Sequence, residues 1–123
     1  MALPKRVKVG GSYYKGYKLV VSSTPGDYVL DMTLPAEACA INGITVITDA
    51  YGAGDNFKLE HLDAANAVVE TLAETVYNIG ANAVWQFDFA AMELMSPGHK
   101  FRLTYTNVAG TEVNVYTNVE RIK

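Results

Sequence analysis

Residues 51–63, with the sequence YGAGDNFKLEHLD, hold the densest group of side chains in this chain that could do chemistry. Two glycines are followed there by four acidic or imidazole side chains: Asp55, Glu60, His61 and Asp63. The glycines do not form a dinucleotide-binding fingerprint, because Phe57 stands where the third glycine of that motif should fall. A calcium loop needs oxygen ligands at alternate positions around a glycine, and this stretch does not supply them.

Zinc would need several ligands that converge on one point, and these residues do not converge. Glu60 and His61 are adjacent, so on a strand their side chains point to opposite faces. His61 and Asp63 share a face, but a structural zinc site takes four ligands. We therefore predict no metal site, but a glycine turn and a strand with alternating sides: Phe57 and Leu59 buried, Lys58 and Glu60 exposed.

No catalytic arrangement is visible elsewhere in the sequence. The two histidines, His61 and His99, are far apart, and His99 follows a Pro-Gly pair that predicts an exposed turn. No serine lies in a GxSxG elbow, and no pair of carboxylates stands out as a glycosidase pair. The sequence predicts a protein that is not an enzyme and has no cofactor; an α+β enzyme built on residues 44–80 is the least favoured alternative.

The elements around these residues read as short strands. Turn sequences, such as TPGD at residues 24–27 and a predicted tight turn at Asn42-Gly43, separate segments rich in Val, Ile, Thr, Tyr and Phe. Several segments alternate apolar and polar residues, which is typical of a sheet with one face in water. The predicted strands cover residues 15–22, 27–34, 44–48, 56–62, 83–89, 100–107 and 111–119. Seven short strands at this spacing favour an antiparallel β-sandwich or barrel, with Trp85, Phe87, Phe89, Phe101, Leu103 and Tyr105 at the centre of its core.

Residues 63–80 depart from the strand pattern. Apolar residues at positions 62, 65, 69, 72, 76 and 79 step by three and four, which is the period of an amphipathic helix. Asp63 is suited to cap the start of such a helix and Gly80 to end it. The alternative is a strand over residues 68–77, which would place two glutamates on its apolar face. We predict one helix, near residues 64–78.

The net charge of −3 hides a strong segregation of charge. Residues 1–18 carry five bases and no acid, whereas residues 27–93 carry eleven acids and one base. An acidic body does not suit binding of nucleic acid, which needs a basic face on the folded domain. A basic leader suits docking on an acidic surface, such as that of a second copy. We predict a basic N-terminal arm over residues 1–14 and a single β-sandwich domain over residues 15–123.

The arm also carries residue types that are common at protein interfaces. Tyrosine and basic side chains together are typical of binding hot spots, and the predicted partner-binding residues are Lys5, Arg6, Lys8, Tyr13 and Tyr14. Tyrosines also stack on sugars, so a carbohydrate- or receptor-binding module is the alternative. No apolar run approaches the ~18 residues that span a membrane, no secretory signal is visible, and the single Cys39 predicts a buried thiol. We expect synthesis in a reducing cytoplasm and no membrane partner.

Three features together resemble the small jelly-roll decoration or cement proteins of tailed-phage heads. They are the basic leader, the stretch GDNFKL at residues 54–59 and the hairpin PGHKFRLTY at residues 97–105, although this hairpin is also similar to sandwich carbohydrate-binding modules. The resemblance implies a jelly-roll-like sandwich that sits on the capsid exterior of a virion made in the host cytoplasm. It further implies a homo-oligomer whose partners are the major capsid protein and other copies of itself.

Overall fold

The computed structural model describes residues 12–34, 39–77 and 83–122. These residues form eight β-strands and contain no helix. The strands are β1 (Ser12–Val21), β2 (Gly26–Thr33), β3 (Cys39–Thr48), β4 (Asn56–Leu62), β5 (Val68–Val76), β6 (Ala83–Met95), β7 (Lys100–Asn107) and β8 (Val113–Ile122). Within these ranges no helix is long and apolar enough to cross a membrane.

The strands form two four-stranded antiparallel sheets. Sheet A has the order β1-β8-β3-β6 and sheet B the order β2-β7-β4-β5. The first half of the chain pairs with the second half in reverse order: β1 with β8, β2 with β7, β3 with β6 and β4 with β5. The chain is therefore one long antiparallel hairpin rolled into two layers, which is the eight-stranded jelly roll. The predicted antiparallel sandwich is confirmed.

The helix predicted near residues 64–78 is wrong, because Asp63 closes a hairpin turn instead of capping a helix. Its carboxylate accepts hydrogen bonds from the backbone N–H groups of Ala65 and Ala67, both at 2.9 Å. The Asp63 N–H donates to the Ala67 carbonyl at 2.9 Å, and Asn66 adopts a left-handed φ of 66°. Asparagine tolerates that conformation better than most residues. The chain therefore reverses here and returns as β5.

Strand β5 carries two β-bulges against β4. Leu59 pairs with Ala73 and Glu60 with Thr71, so Leu72 is an extra residue without a partner on β4. A second shift leaves Val69 unpaired in the same way. Each bulge displaces the alternation of a strand by one residue. The apolar residues with helical spacing therefore do not share one face: Val69 and Val76 are more than half exposed, whereas Leu72 is partly buried.

A further bulge replaces the tight turn predicted at Asn42-Gly43. The register of β3 against both of its neighbours shifts between Ile41 and Gly43, so the strand continues through this pair. A Cβ atom at Gly43 would lie 3.0 Å from the Phe87 carbonyl oxygen. Glycine is required here because β6 approaches the backbone too closely for a side chain.

The core lies between the two sheets and is centred on β7. Phe101, Leu103 and Tyr105 are fully buried, as predicted. The predicted residues of β6, Trp85, Phe87 and Phe89, are only partly buried, because β6 is an edge strand of sheet A. The remaining core is supplied mostly by the inward side chains of other strands, among them Val21, Met32, Ile44, Val46, Phe57, Leu59 and Val115.

Candidate interaction site

Both termini of the described chain lie at one end of the sandwich. Ser12, at the start of β1, pairs with Ile122, at the end of β8. Ile122 also pairs with Ala40 near the start of β3, and Ala40 pairs with Leu94 near the end of β6. We call this the terminal end, and the opposite end, which carries the β7–β8 turn, the loop end. Any residue that precedes Ser12 in the chain is attached at the terminal end.

The structure places two of the five predicted partner-binding residues. Tyr13 and Tyr14 lie in β1, where their backbones pair with Arg121 and Glu120. β1 begins at Ser12, so residues 12–14 of the predicted arm pair in sheet A. The three basic residues lie outside the described residues: Lys5, Arg6 and Lys8. Their role in binding stays a prediction.

Two further basic residues of the leader sit on the folded body, each over a tyrosine ring. The ammonium group of Lys15 lies 5.5 Å from the ring centroid of Tyr17, and that of Lys18 lies 5.5 Å from the ring of Tyr116. Tyr17 is partly buried and donates a hydrogen bond to the carbonyl of Thr33 at 2.8 Å, which ties β1 to sheet B. Burial raises the pKa of Tyr17 above its ordinary value. Tyr17 is therefore a structural residue rather than a free contact.

The outer face of sheet A carries a row of side chains across all four strands, of which three are exposed and Ile47 is partly buried. Lys18 on β1 pairs with Tyr116 on β8, Tyr116 with Ile47 on β3, and Ile47 with Val84 on β6. We call these four residues the cross-strand row. Val84 is 71% exposed and Tyr116 is 40% exposed. Apolar and tyrosine side chains presented side by side to solvent are typical of protein contact surfaces.

The outer face of sheet B is polar and carries an open groove of about 540 Å³. Charged and hydroxyl side chains line most of the groove, among them Asp27, Lys58, Glu74, Thr104 and Thr106. The aromatic residue that lines it is Phe57, whose side chain is only 1% exposed. No aromatic side chain among the described lining residues is exposed, whereas a carbohydrate-binding module stacks a sugar on an exposed ring.

Beside the groove, a charged cluster joins β2 to β7. The Arg102 guanidinium donates to both carboxylate oxygens of Asp31, at 2.7 and 3.0 Å, and the Lys100 ammonium lies 3.5 Å from the same carboxylate. The hydrogen bond from Arg102 holds the pKa of Asp31 below its ordinary value. Both bases are thus engaged with an acid, so this face presents no free basic patch from these residues.

Asp55, the first acid of residues 51–63, is a structural acceptor at the loop end. It is fully buried and accepts hydrogen bonds from the Tyr105 hydroxyl at 2.7 Å and from the backbone N–H groups of Gly52, Val108 and Ala109 at 3.1, 2.7 and 3.0 Å. Burial opposes its charged form, but these hydrogen bonds outweigh burial and hold the pKa of Asp55 below its ordinary value. The carboxylate joins the glycine turn to the β7–β8 turn.

In the strand that follows Asp55, the burial of the side chains agrees with the prediction at every position but one. Phe57 and Leu59 are buried, and Lys58 is partly exposed, as predicted. The predicted exposure of Glu60 is wrong, because this residue is only 9% exposed. Glu60 pairs with Arg102 on β7 and with Thr71 on β5, and its carboxylate lies 3.8 Å from the Lys58 ammonium. Neighbours on both sides therefore cover it.

The two histidines, which the sequence separates, meet at the terminal end. Nε2 of His61 lies 2.9 Å from Nδ1 of His99, so the two rings share a hydrogen bond. His61 is buried, at 6% exposure. His99, which is predicted to be exposed, is partly buried. No local motif links residues 38 positions apart; the antiparallel pairing of β4 with β7 brings them together.

We predict that zinc or calcium leaves the melting temperature of the protein unchanged. Within residues 12–34, 39–77 and 83–122, no group of three His, Cys, Asp or Glu side chains converges as a metal site. Two imidazoles that already bond to each other supply half of a structural zinc site. The measurement is a thermal melt with and without one equivalent of each metal. A rise of several degrees that a chelator reverses would contradict this prediction.

Comparison with known proteins shows which solved structures share this fold. No protein-family profile and no curated protein matches the chain. Among solved structures, the SPBc2 prophage-derived protein YomS superposes with a TM-score of 0.57 at 13% identity, over 94% of this chain and 99% of that one. A chain of the cyanophage Pam1 capsid asymmetric unit gives 0.54 at 21% identity, over 98% and 92%. The fold is that of phage and viral capsid chains.

A chain from the cryo-electron microscopy structure of broad bean stain virus shows the same likeness. Its TM-score is 0.55 at 8% identity, over 98% of this chain and 91% of that one. Identities this low show a shared fold. The jelly-roll resemblance predicted from the leader and the two motifs is thereby confirmed at the level of the fold, and the alignments run from end to end of each chain.

Proposed function

We propose that this chain is a non-enzymatic structural protein of a phage virion, a decoration or cement protein on the outside of the capsid. It contacts major capsid subunits and other copies of itself, and it stabilises the shell by the surface area that these contacts bury. The protein is made in the host cytoplasm and then binds to the exterior of the capsid.

One observation carries this proposal: the likeness to a capsid chain covers the whole molecule. The match to the Pam1 capsid asymmetric unit takes in 98% of this chain and 92% of that one. The eight-stranded roll therefore accounts for most of both chains. A roll that matches a capsid chain over nearly its full length supports a function by contact.

The surface supports contact as the mode of action. The cross-strand row offers apolar and tyrosine surface on one sheet, and the basic leader is attached at the terminal end. The body carries most of the acids, so a leader from one copy complements the charge of a neighbouring copy. On a capsid, many such weak contacts act together, and each one raises the effective concentration of the next.

The test of this proposal is co-sedimentation of the purified protein with heads that lack it. We expect saturable binding in many copies per head, and we expect no shift of the melting temperature with a panel of mono- and oligosaccharides. A sugar-dependent thermal shift without binding to heads would support the carbohydrate-binding alternative instead. The polar groove on sheet B, which lacks an exposed aromatic ring, argues against that alternative.

Deleting residues 1–9 is expected to leave the melting temperature nearly unchanged and to weaken binding to heads. The deleted segment precedes β1 and contains Lys5, Arg6 and Lys8, whose charges complement an acidic partner. Added salt should weaken binding of the intact protein in the same way, because exposed charges are screened over about 8–10 Å at 0.1–0.15 M salt.

The matched control replaces the same three bases with Gln and keeps the length of the leader. If charge is responsible, this variant binds as weakly as the deletion and loses the salt dependence. A deletion that unfolds the domain would show that the leader is part of the core. A deletion that binds heads as well as the intact protein would remove the leader from the proposed interface.

A further inference from the structure

The His61–His99 pair links two turns at the terminal end and has no part in the proposed contacts. His61 is the inward-facing residue near the end of β4, and its ring centroid lies 5.7 Å from that of Phe101. His99 ends the β6–β7 turn, where its N–H donates to the Ser96 carbonyl at 3.2 Å. The Nε2–Nδ1 bond at 2.9 Å therefore joins the end of β4 to this turn.

The β6–β7 turn also packs directly on the β4–β5 turn. Gly98 adopts a φ of +80°, and a Cβ atom placed on it would lie 3.1 Å from the Cβ atom of Ala64. Ala64 belongs to the turn that Asp63 closes through its hydrogen bonds to Ala65 and Ala67. The two turns thus touch through small residues, and the histidine pair is the polar bond beside that contact.

The chemistry of this bond depends on protons. One of the two facing nitrogens must keep its lone pair, because a hydrogen bond needs one donor and one acceptor. An unperturbed imidazole titrates near pH 6.5, within the physiological range. A first added proton can be tolerated, since a protonated His61 still donates from Nε2 to Nδ1 of His99. A second proton places N–H groups and like charges face to face.

The surrounding charges fit this order of protonation. In the part of the chain that the structure describes, the acid near the pair is Glu70 on β5, whose Oε1 lies 4.0 Å from Nδ1 of His61. β7 presents the uncharged ring of Phe101 to the pair, while Lys100 and Arg102 pair with Asp31 on the outer face of sheet B. Glu70 favours a proton on His61, which is the first of the two protonation steps.

We propose that His61 and His99 form an acid-sensitive latch that holds the β4–β5 and β6–β7 turns together. The closed latch disfavours the second proton, and the open form takes it up freely. The open form then binds more protons than the closed form, so the stability of the closed form falls as the pH falls. The latch is closed at neutral pH and opens in mild acid, at the end of the sandwich to which the leader is attached. This inference concerns the free protein and does not rest on the proposed function.

The test is amide hydrogen exchange of the free protein at about pH 7.5 and about pH 5, corrected for intrinsic exchange rates. The reporters are the N–H groups that close the two turns, Asp63, Asn66 and His99, with the N–H of Gly54 at the loop end as internal reference. We expect protection of the reporters to fall about tenfold more than that of the reference, which is the factor expected from loss of one partly buried hydrogen bond. Equal changes at both ends would overturn the proposal.

Two variants separate the latch from general acid sensitivity. His99→Asn places an amide near the position of Nδ1, and His61→Gln places one near Nε2; both retain a hydrogen-bonding group that does not titrate in this range. His99→Asn is the primary variant because His99 is partly exposed and His61 is buried. We expect the acid-dependent loss of protection at the turns to disappear in either variant. The same loss in wild type and in His99→Asn would show that the pair is not the responsible group.

Nuclear magnetic resonance supplies a second readout that does not depend on a variant. His61 and His99 are the two histidines of the chain, so their imidazole signals are assignable in the wild-type protein. The latch predicts two separate protonation steps, with loss of reporter protection at the lower one. Loss of protection at the first step, or two independent and identical steps, would contradict it.

Discussion

Asp55→Ala is expected to lower the free energy of unfolding by about 3–5 kcal/mol, because it removes the shared acceptor of several buried donors. The lost carboxylate leaves three backbone N–H groups and the Tyr105 hydroxyl without their partner. The three N–H groups belong to two separate turns and Tyr105 lies on β7, so the loop end loses its main connection. The measurement is equilibrium unfolding in denaturant at neutral pH.

The matched control is Asp27→Ala, which also removes a carboxylate that accepts a hydrogen bond from a side chain of β7. Asp27 accepts from the Thr106 hydroxyl at 2.6 Å, but it is exposed to solvent. Its loss should therefore cost less than about 1 kcal/mol. Equal midpoints for Asp55→Ala and Asp27→Ala would show that the Asp55 hydrogen bonds do not hold the loop end together.

The same carboxylate predicts a dependence of stability on acid. The pKa of Asp55 is lower in the folded protein than the usual value of about 3.9 for the unfolded chain, so the unfolded state binds more protons at low pH. Its contribution is fully present above that value and is lost as the pH falls through the folded pKa. Asp55→Asn should therefore lose less stability than wild type between about pH 5 and about pH 2.

Phe101→Ala is expected to cost about 3–5 kcal/mol, the usual range for a large aromatic side chain in a well-packed core. Phe101 is fully buried and contacts the rings of His61 and Phe89, at centroid distances of 5.7 and 6.3 Å. A cavity at this position cannot be filled by solvent or by movement of an exposed residue. The loss should appear as a lower denaturant midpoint with an unchanged slope.

Trp85→Ala provides the contrast within the same aromatic cluster. Trp85 lies on the edge strand β6, is partly exposed and makes an edge contact with Phe57 at a centroid distance of 5.3 Å. Its truncation should cost clearly less than that of Phe101, in spite of the larger side chain, because less of its surface is withdrawn from water. The reverse order would mean that the core is centred on β6 rather than on β7.

Local patterns were sufficient for most of the strands. β7 alternates throughout and β4 alternates as far as Leu59, and their predicted bounds, residues 56–62 and 100–107, coincide with those in the structure. From the sequence, β5 is only the alternative to a helix, because its apolar residues do not alternate and Asp63 has the residue type of a helix cap as well as of a turn. A bulge arises from how a strand fits its neighbour, so no pattern within residues 63–80 distinguishes it from a helical turn.

The functional groups were harder to predict than the fold, because their partners lie far away in sequence. Two hydrogen-bond donors to Asp55, Tyr105 and Val108, lie on β7 and in the turn that follows it. His61 meets His99 because β4 pairs with β7. The residue types of Asp55 and His61 show only that both are polar side chains near a glycine turn. The sheet order determined which donors and rings they meet, and that order is encoded in the long-range pairing of the whole chain.

The most direct test of a place on the outside of a capsid is cryo-electron microscopy of the phage head that contains this chain. We predict density for an eight-stranded roll at symmetry-related positions on the outer surface, in contact with major capsid subunits and with neighbouring copies. The terminal end, with its basic leader, should face an acidic surface. A map of the complete shell that resolves the major capsid subunits but shows no such density at a symmetric position would contradict the proposal.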